Sequence, residues 1–436
     1  MARGICAQGK QVRANSMKEI AKKIYRKIPA CLRWILWPIK LTFKFISISR
    51  LDLWILKGEE ITSHEELSIV YAGTEINKNY FARMAYASSF SENYLGKVWL
   101  WKVFKMVKEK SHTCSLMVVA VDKSVCTLLG NQACFNIPFW VSSLADISDD
   151  ISFLAKRRSL KSDITKITNN KFSFEITQDR SKFDNFYYNM YRPYVFQRHG
   201  DRAIISEYDY VRNKFKNNEL LLIKKENQYV AGALLVYKKK RLGPVYMGIK
   251  DGNFDYVKDG AIGAIFYFTI HRFKEKGYKQ VDFGGSRAFL KDGVLRYKKM
   301  RGALQISCGS RHGGIFFVEP LTNTPGLKAF LINNPFIFID KGKINGAVFV
   351  GSDYSFSQQT LKKMYKNYYF DGMSRLFIYQ FGGDTHKIEK ILPLEFSEKI
   401  SFRSTVQLFQ KLDGERPIQE ADCALTNTKN YGIRRD

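Results

Sequence analysis

The chain has 436 residues, of which 45% are hydrophobic, enough apolar material for a large core and for two or three domains. No stretch has the low-complexity, highly charged composition of a disordered protein, which excludes that class. The formal net charge of +29 favours an anionic partner (a nucleic acid, an anionic lipid or a phosphorylated ligand), although positive charge also serves plain solubility.

Seven cysteines are scattered along the chain without a CxxC pair, and no His/Cys cluster has the spacing of a zinc site. This pattern is typical of a reduced, cytoplasmic protein rather than of a disulfide framework, and we predict no metal. The motifs G-x-S-x-G and G-x-x-x-x-G-K-[ST] do not occur either, which argues against an α/β-hydrolase and against a P-loop NTPase.

Residues 1–60 are predicted to form a basic amphipathic segment. Ile20, Ile24 and Ile28 would form one stripe on a helix, with lysines and arginines off that stripe. The aromatic-rich stretch that follows is interrupted by charges and a proline, so it is too short to span a bilayer. We therefore expect residues 17–56 to bind the anionic cytoplasmic face of the cell membrane peripherally. The alternative is that this segment docks on the protein's own body with its aromatic residues in the core.

Residues 61–150 are predicted to form an N-terminal α/β half. Its expected elements are a helix at Tyr94–Glu109, strands at Ser115–Asp122, Thr127–Leu129 and Ala133–Val141, and a polar connection at Ser142–Asp150.

The block 151–305 alternates more clearly between helical and strand-like patterns. Its expected elements are helices at Ser159–Thr168, from Asp179 onward and at Tyr208–Asn217, a strand at Phe172–Thr177, three meandering strands at Glu219–Lys225, Tyr229–Tyr237 and Leu242–Ile249, a helix at Ala261–Lys276 and a strand at Lys279–Phe283. This order predicts a mixed α/β (α+β) sheet with helices on both faces. Residues 306–415 are predicted to be a C-terminal α/β extension, and residues 416–436 a tail.

The segment Lys258–Ala264 follows the third strand of the meander and opens a helix. Free N–H groups and the dipole at a helix N-terminus attract phosphate, and small residues let a ligand approach the backbone. The residues expected to contact a phosphate-bearing ligand here are Lys258, Gly260, Ala261, Gly263 and Ala264. The alternative is an ordinary turn with a helix cap.

Two further stretches belong with this loop. One is residues 186–194 with Arg198-His199-Gly200 after them, and the other is residues 278–302, which contain Asp282-Phe283-Gly284-Gly285 and Tyr297-Lys298. Together the three stretches resemble the GNAT superfamily of acyltransferases, especially its FemAB-like branch, over about a third of the chain. The family's loop reads Q/R-x-x-G-x-G/A. In this chain Lys258 stands at its first position and Ala261 replaces its first glycine.

The resemblance implies a GNAT-like mixed, mostly antiparallel twisted sheet, and it allows two GNAT-like halves, with residues 61–150 as a degenerate first half. It implies an N-acyltransferase whose donor is acetyl-CoA or another acyl-CoA and whose acceptor is an amine. The third and fourth strands of the core would part at a bulge and admit the pantetheine arm. Backbone N–H groups near Tyr246, Met247 and Gly248 would then hold the thioester oxygen.

The resemblance also suggests roles for side chains. Tyr297 is a candidate general acid for the leaving thiolate, Lys298 could stabilise developing negative charge, and Asp282 could act as a base or orient a group. The ordinary alternatives are core packing, a solvated surface lysine and a loop cap, respectively. The residues expected to contact the acceptor, in part because arginine suits an anionic group, are Tyr191, Arg192, His199 and Arg287.

Three hypotheses stay open at this point. The first is an acyl-CoA N-acyltransferase that acts near a membrane on an amino sugar, an amino acid or a lipid-linked acceptor. The second is a FemAB-type aminoacyltransferase with a charged tRNA as donor, whose binding would weaken steeply with salt. The third is a non-enzymatic GNAT-like scaffold or lipid-binding protein.

Overall fold

The computed structural model describes residues 49–87, 89–109, 113–122, 135–148, 158–200, 203, 205–238, 241–308, 313–382 and 392–409. Within these ranges the strands, in chain order, are β1 (Arg50–Glu59), β2 (Glu66–Gly73), β3 (Ser91–Trp99), β4 (Leu116–Asp122), β5 (Phe135–Pro138), β6 (Val141–Asp146), β7 (Phe172–Thr177), β8 (Glu219–Lys225), β9 (Gln228–Lys238), β10 (Arg241–Ile249), β11 (Gln280–Ser286), β12 (Gln305–Ser307), β13 (Gly314–Pro320), β14 (Phe336–Asp340), β15 (Lys343–Val350), β16 (Arg375–Gln380) and β17 (Ile400–Ser404).

The helices, in the same order, are α1 (Glu75–Ala85), α2 (Leu100–Glu109), α3 (Arg158–Asn169), α4 (Arg180–Phe186), α5 (Arg192–His199), α6 (Tyr208–Phe215), α7 (Phe254–Lys258), α8 (Ala261–Glu275), α9 (Gly293–Met300), α10 (Pro325–Asn333), α11 (Gln358–Tyr368) and α12 (Val406–Phe409). A π-helical turn, Tyr187–Tyr191, joins α4 to α5.

The strands form three sheets. The largest has ten strands in the order β17-β16-β15-β14-β5-β13-β4-β2-β1-β3, and its neighbours are antiparallel except for the parallel pairs β2–β4, β15–β16 and β16–β17. A four-stranded antiparallel sheet has the order β10-β9-β8-β7, and a three-stranded sheet has the order β11-β6-β12. The mixed α/β class with mostly antiparallel strands is therefore confirmed.

Helices cover both faces of the four-stranded sheet. Along β8, Leu221 and Ile223 face the core formed with α3 and α8, whereas Leu220 and Leu222 face the core formed with α4 and α6. This alternation follows from the two-residue period of a strand. A strand buried on both faces must be apolar throughout its middle, which is why this segment reads Leu-Leu-Leu-Ile.

Short-range signals located several elements correctly. Strands β7 and β8 have the predicted bounds, and α4 begins after Asp179, whose carboxylate accepts a hydrogen bond from the Lys182 N–H. The helix α8 ends before Gly277, which adopts a φ of 78°. Capping carboxylates and left-handed glycines act over three or four residues, so the sequence pattern is sufficient to find them.

The N-terminal prediction is wrong for residues 50–56. These residues belong to β1, which lies between β2 and β3, and the side chains of Leu53 and Leu56 are buried on opposite faces of the sheet. Charged residues at the ends and at partly exposed positions of this stretch interrupt its apolar pattern, so the sequence did not indicate a strand. The remainder of the expected membrane-binding segment, residues 17–48, lies outside the described residues, as do the expected strand at Thr127–Leu129 and the tail 416–436.

Two other local predictions need correction. The stretch expected to be one helix at Tyr94–Glu109 is β3 as far as Trp99 and becomes α2 only at Leu100, because β1 provides a pairing partner for its first half. The expected connection at Ser142–Asp150 contains β6, which pairs with β11.

The N-terminal and C-terminal parts of the chain share a sheet. Strands β13 and β14 flank β5, and β13 also pairs with β4, so strands of the predicted segments 61–150 and 306–415 alternate in the ten-stranded sheet. The segment after residue 305 therefore completes the first sheet rather than standing beside it. Pairing over some 200 residues leaves no local trace in a sequence.

Candidate functional site

The strands β10 and β11 lie side by side but belong to different sheets: β10 pairs with β9, and β11 pairs with β6. Their backbones are in close contact at Gly243, where a Cβ atom would lie 1.9 Å from the carbonyl oxygen of Asp282. Only glycine fits this contact. Among the described residues no strand ladder joins β10 to β11. We call the unpaired seam between these two strands, beyond this contact, the β10/β11 gap.

A bulge interrupts β10 beside this gap. Its register against β9 shifts between Val245 and Gly248, and Tyr246 adopts a φ of 51°, which is uncommon for a tyrosine. The π-helical turn packs directly on the bulge, because a Cβ atom at Gly248 would lie 2.5 Å from the backbone nitrogen of Tyr191. The bulge lies at the residues whose backbone N–H groups the family resemblance suggested for the thioester oxygen, and it interrupts the ladder of β10 with β9.

The predicted phosphate-binding loop is buried. The residues Gly260, Ala261, Gly263 and Ala264 are all enclosed, and only Lys258 of the predicted set is exposed. Helix α3 lies over them: a Cβ atom at Gly260 would be 2.9 Å from the Lys166 side chain, and the Lys166 ammonium donates a hydrogen bond to the Lys258 carbonyl. This arrangement corrects the expectation of an open cradle at the start of α8.

An internal anion lies at the start of α8. A Cβ atom at Gly263 would be 2.7 Å from the carboxylate of Asp163, a residue of α3. Negative charge is favourable beside the first turn of a helix, and Asp163 packs against that turn at Gly263. Burial raises the pKa of this carboxyl, while the neighbouring Arg301 acts in the opposite direction.

Arg301 holds Asp163 through two contacts. Its Nη2 donates a hydrogen bond of 2.9 Å to Asp163 Oδ1, and its Nε lies 2.8 Å from Oδ2. Both side chains are buried. The Arg301 guanidinium carbon also lies 3.4 Å from the centroid of the Tyr297 ring. The pair and the ring thus join α3, α8 and the end of α9 into one packed unit.

Tyr297 is largely buried within this unit. Burial raises the pKa of its hydroxyl well above the usual value, and the positive charge of Arg301 offsets this only in part. The phenol therefore keeps its proton throughout the neutral range. A raised pKa makes the hydroxyl a weaker acid toward a thiolate, and the general-acid role of Tyr297 stays a prediction.

Lys298 and Asp282 both organise the end of β11. The buried Lys298 ammonium donates hydrogen bonds of 2.8 Å to the carbonyls of Gly284 and Gly285. Asp282 Oδ1 accepts a hydrogen bond of 2.7 Å from the Gly284 N–H. These contacts hold a second bulge, because the register of β11 against β6 shifts between Asp282 and Gly285. The catalytic roles of both side chains stay predictions.

The four expected acceptor residues lie in different surroundings. Tyr191 is buried at the bulge, with its ring centroid 5.4 Å from that of Tyr246. Arg192 is exposed, with its guanidinium carbon 5.8 Å from the centroid of the Tyr188 ring. His199 is the last residue of α5, and its side chain lies outside the described atoms. Arg287 follows β11 and contacts residues of the N-terminal part of the chain.

Sequence reasoning missed Asp163, Tyr80 and Trp140. Asp163 is 138 residues from Arg301 along the chain, and no local pattern connects them. Arg301 lies in the stretch 278–302 that the resemblance had singled out, and a buried arginine requires an anionic partner. That requirement was the one available signal for Asp163.

Neither a metal site nor a membrane span is found in the part of the chain that the structure describes. There, no three side chains from among histidine, cysteine, aspartate and glutamate are grouped to hold a metal ion. No helix in the same residues is long and apolar enough to cross a bilayer.

The chain matches no protein-family model and no curated protein. Among solved structures it is similar to L-PGS from Bacillus licheniformis, with 13% identity and a TM-score of 0.31 over 61% of this chain and 81% of that chain. It is similar to the C-terminal domain (DUF2156) of a putative lysylphosphatidylglycerol synthetase from Agrobacterium fabrum, with 13% identity and a TM-score of 0.32 over 63% and 82%. A GCN5-related N-acetyltransferase-like protein from Streptococcus suis matches with 12% identity and a TM-score of 0.26 over 69% and 98%. Overlaps this loose carry no functional argument, so function is argued from the chain's own geometry.

Proposed function

We propose that the chain is an N-acyltransferase of the GNAT type, which transfers an acyl group to an amine in the β10/β11 gap. The observation that carries the proposal is the bulge at Tyr246–Gly248 in β10. Beside β10 lies β11, with which β10 forms no ladder in the described part of the chain. An extended acyl carrier can bind in such a gap as an added strand. Backbone N–H groups released by the bulge are suited to hold the carbonyl oxygen as negative charge develops on it.

The first candidate donor is an acyl-CoA, such as acetyl-CoA, which the family resemblance implies. Its diphosphate would have to lie away from the start of α8, since α3 covers Gly260 and Gly263 there. Lys258 is the one exposed cation of the predicted loop, and it already pairs with Asp255 at 2.8 Å.

The second candidate donor is an aminoacyl-tRNA. The cover of α3 over the start of α8 favours it, because this donor needs no diphosphate cradle there. The formal net charge of +29 is also suited to a long polyanion.

Donor binding separates the candidates. An acyl-CoA donor at 100 times its Kd is expected to stabilise the folded protein by about 2.7 kcal/mol, measured as a rise in melting temperature across a panel of acyl-CoAs. An aminoacyl-tRNA donor is expected to bind with an affinity that falls by orders of magnitude between 50 and 200 mM salt, measured by filter binding. Uncharged tRNA and free coenzyme A are the matched controls, and transfer to an amine panel is assayed with each donor. If neither donor binds or reacts, the chain is a GNAT-like scaffold and the proposal fails.

The proposed setting is the cytoplasmic face of the cell membrane. At the edge of the ten-stranded sheet, the rings of Trp99 and Trp101 stack with centroids 4.8 Å apart, and Trp101 is 62% exposed. The exposed Arg50 lies 5.0 Å from the Trp99 ring, and Lys102 and Lys105 are exposed on α2. Tryptophan with basic neighbours is typical of a surface that meets an anionic leaflet. Arg50 of this patch comes two residues after the basic segment 17–48 in the sequence.

Vesicle binding tests this setting. We expect the protein to sediment with vesicles that contain phosphatidylglycerol but not with pure phosphatidylcholine vesicles. Trp101→Ala should weaken vesicle binding roughly tenfold, because one interfacial ring contributes about 1.4 kcal/mol. Leu394→Ala is the control, since Leu394 is an apolar side chain that is 92% exposed elsewhere. Equal losses in the two variants, or equal binding to both vesicle types, would contradict a membrane role for this patch.

A further inference from the structure

Arg287 lies between two aromatic rings at the end of β11. Its guanidinium carbon is 4.2 Å from the centroid of the Tyr80 ring and 4.3 Å from that of the Trp140 ring. Tyr80 belongs to α1, and Trp140 lies between β5 and β6. Stacking on both faces fixes the plane of the guanidinium and leaves only its edge for hydrogen bonds. The side chain is therefore preorganised by three separate parts of the fold.

The charge of Arg287 is not compensated. Among the described residues no carboxylate forms an ion pair with it, and its Nη1 is buried without a hydrogen-bond acceptor. Its Nη2 has a long contact of 3.5 Å to Asn77 Oδ1. Burial lowers the pKa of Arg287, yet a guanidinium remains charged at any pH the protein experiences.

The nearby charges do not supply the missing anion. Asp292 acts on Arg287 at longer range, but its Oδ1 accepts a hydrogen bond of 2.9 Å from the Leu295 N–H at the start of α9. Arg83 adds positive charge to the same surroundings. A half-buried cation with no ion-pair partner among the described residues and one buried, unpartnered N–H group is costly, so the surroundings of Arg287 are complementary to an oxyanion.

Arg287 lies at the end of one of the two strands that border the β10/β11 gap. Arg287 directly follows Ser286, the last residue of one of the two strands that border the gap. Gly285, two residues earlier, is exposed, and Trp140 is 41% exposed, so the site reaches the surface.

We propose that Arg287 binds an anionic group, a phosphate or a carboxylate, of the amine acceptor. The inference rests on the proposed acyl transfer and narrows its acceptor class to amines that also carry an oxyanion. The guanidinium edge offers parallel N–H donors, which match two oxygens of such a group. Arg287 is then a binding residue that holds the acceptor while its amine reaches the acyl carbon.

The experiment measures anion binding without any acyl donor. The wild type is titrated with O-phosphoethanolamine, β-alanine, ethanolamine and inorganic phosphate at constant ionic strength, by calorimetry and by melting temperature. We expect O-phosphoethanolamine or β-alanine to bind and ethanolamine not to bind. Binding of the first identifies a phosphate as the anchor, and binding of the second identifies a carboxylate. Arg287→Met should weaken that binding at least tenfold, and Arg287→Lys should weaken it several-fold because it keeps the charge without the planar fork.

The matched control is Arg375→Met, which removes an exposed arginine at the start of β16, outside every proposed binding residue, and should leave binding unchanged. The inference is overturned if the wild type binds none of the anionic probes, or if Arg287→Met binds them as well as the wild type does. Should Arg287→Met fail to fold, the Arg287→Lys comparison decides. Acyl transfer without anion binding would remove this inference alone, whereas anion binding without transfer from either donor would remove the proposed function and leave the anion site.

Discussion

Replacing Arg301 by methionine is expected to lower the free energy of unfolding by about 3 to 5 kcal/mol, because it leaves the buried Asp163 carboxylate without its cation. Denaturant unfolding measures the change. Arg192→Met is the control, since Arg192 is exposed, and it should change stability by less than about 0.5 kcal/mol. The double variant Asp163→Leu/Arg301→Met should recover most of the loss, because it removes both buried charges.

The loss of unfolding free energy in Arg301→Met should depend on pH. Burial already raises the pKa of Asp163, and removal of Arg301 takes away the main influence that lowers it. The folded variant then binds a proton more readily than the unfolded chain, so its stability increases as the pH falls through the raised pKa. The deficit relative to the wild type is expected to be smaller at pH 5 than at pH 8. A deficit below 1 kcal/mol at both pH values would mean that the pair does not hold α3 against α8.

Replacing Gly243 by alanine is expected to cost about 3 kcal/mol of stability and to abolish acyl transfer. The new Cβ atom would lie 1.9 Å from the Asp282 carbonyl oxygen, and backbone on both sides leaves no flexible side chain to yield. The strands β10 and β11 would have to separate, which changes the width of the proposed carrier site. Thermal unfolding measures the first effect and the donor-dependent transfer assay measures the second.

Gly285→Ala is the matched control on the facing strand. Its Cβ atom would meet only the Trp140 side chain, at 3.5 Å, which is an ordinary contact. We expect this variant to change stability by less than about 1 kcal/mol and to keep the transfer reaction. If Gly243→Ala is as stable and as active as Gly285→Ala, the close approach of β10 to β11 is not needed for the site.

Part of the site was predictable. The family resemblance predicted a bulge where the third and fourth strands of the core meet, without giving its residues, and β10 has a bulge between Val245 and Gly248. Two of the alternative interpretations describe contacts that the structure contains. Asp282 caps its own loop, and the segment before α8 is a buried turn. Lys298 is neither exposed nor solvated, because its ammonium is held by two carbonyls of β11.

The placement of Asp163 illustrates what sequence patterns miss. A glycine-bearing helix start attracts negative charge whatever its source, so the pattern at Gly260–Ala264 predicts an anion but not its identity. Here a carboxylate from α3 provides it, about 100 residues earlier in the chain. A ligand phosphate and an internal carboxylate have the same local signature, and only the packing of α3 on α8 distinguishes them.

The sequence by itself determined the mixed α/β class, the bounds of strands such as β7 and β8, and the helix α8 with its glycine at the end. These features depend on periodicity and capping, which act within a few residues. Only the tertiary structure decided that β1 is a buried strand, that the two ends of the chain share one sheet, and that Arg287 lies unpaired between Tyr80 and Trp140. Contacts of this kind join residues far apart in the chain, and their free energy comes from burial and charge pairing that no short window of sequence contains.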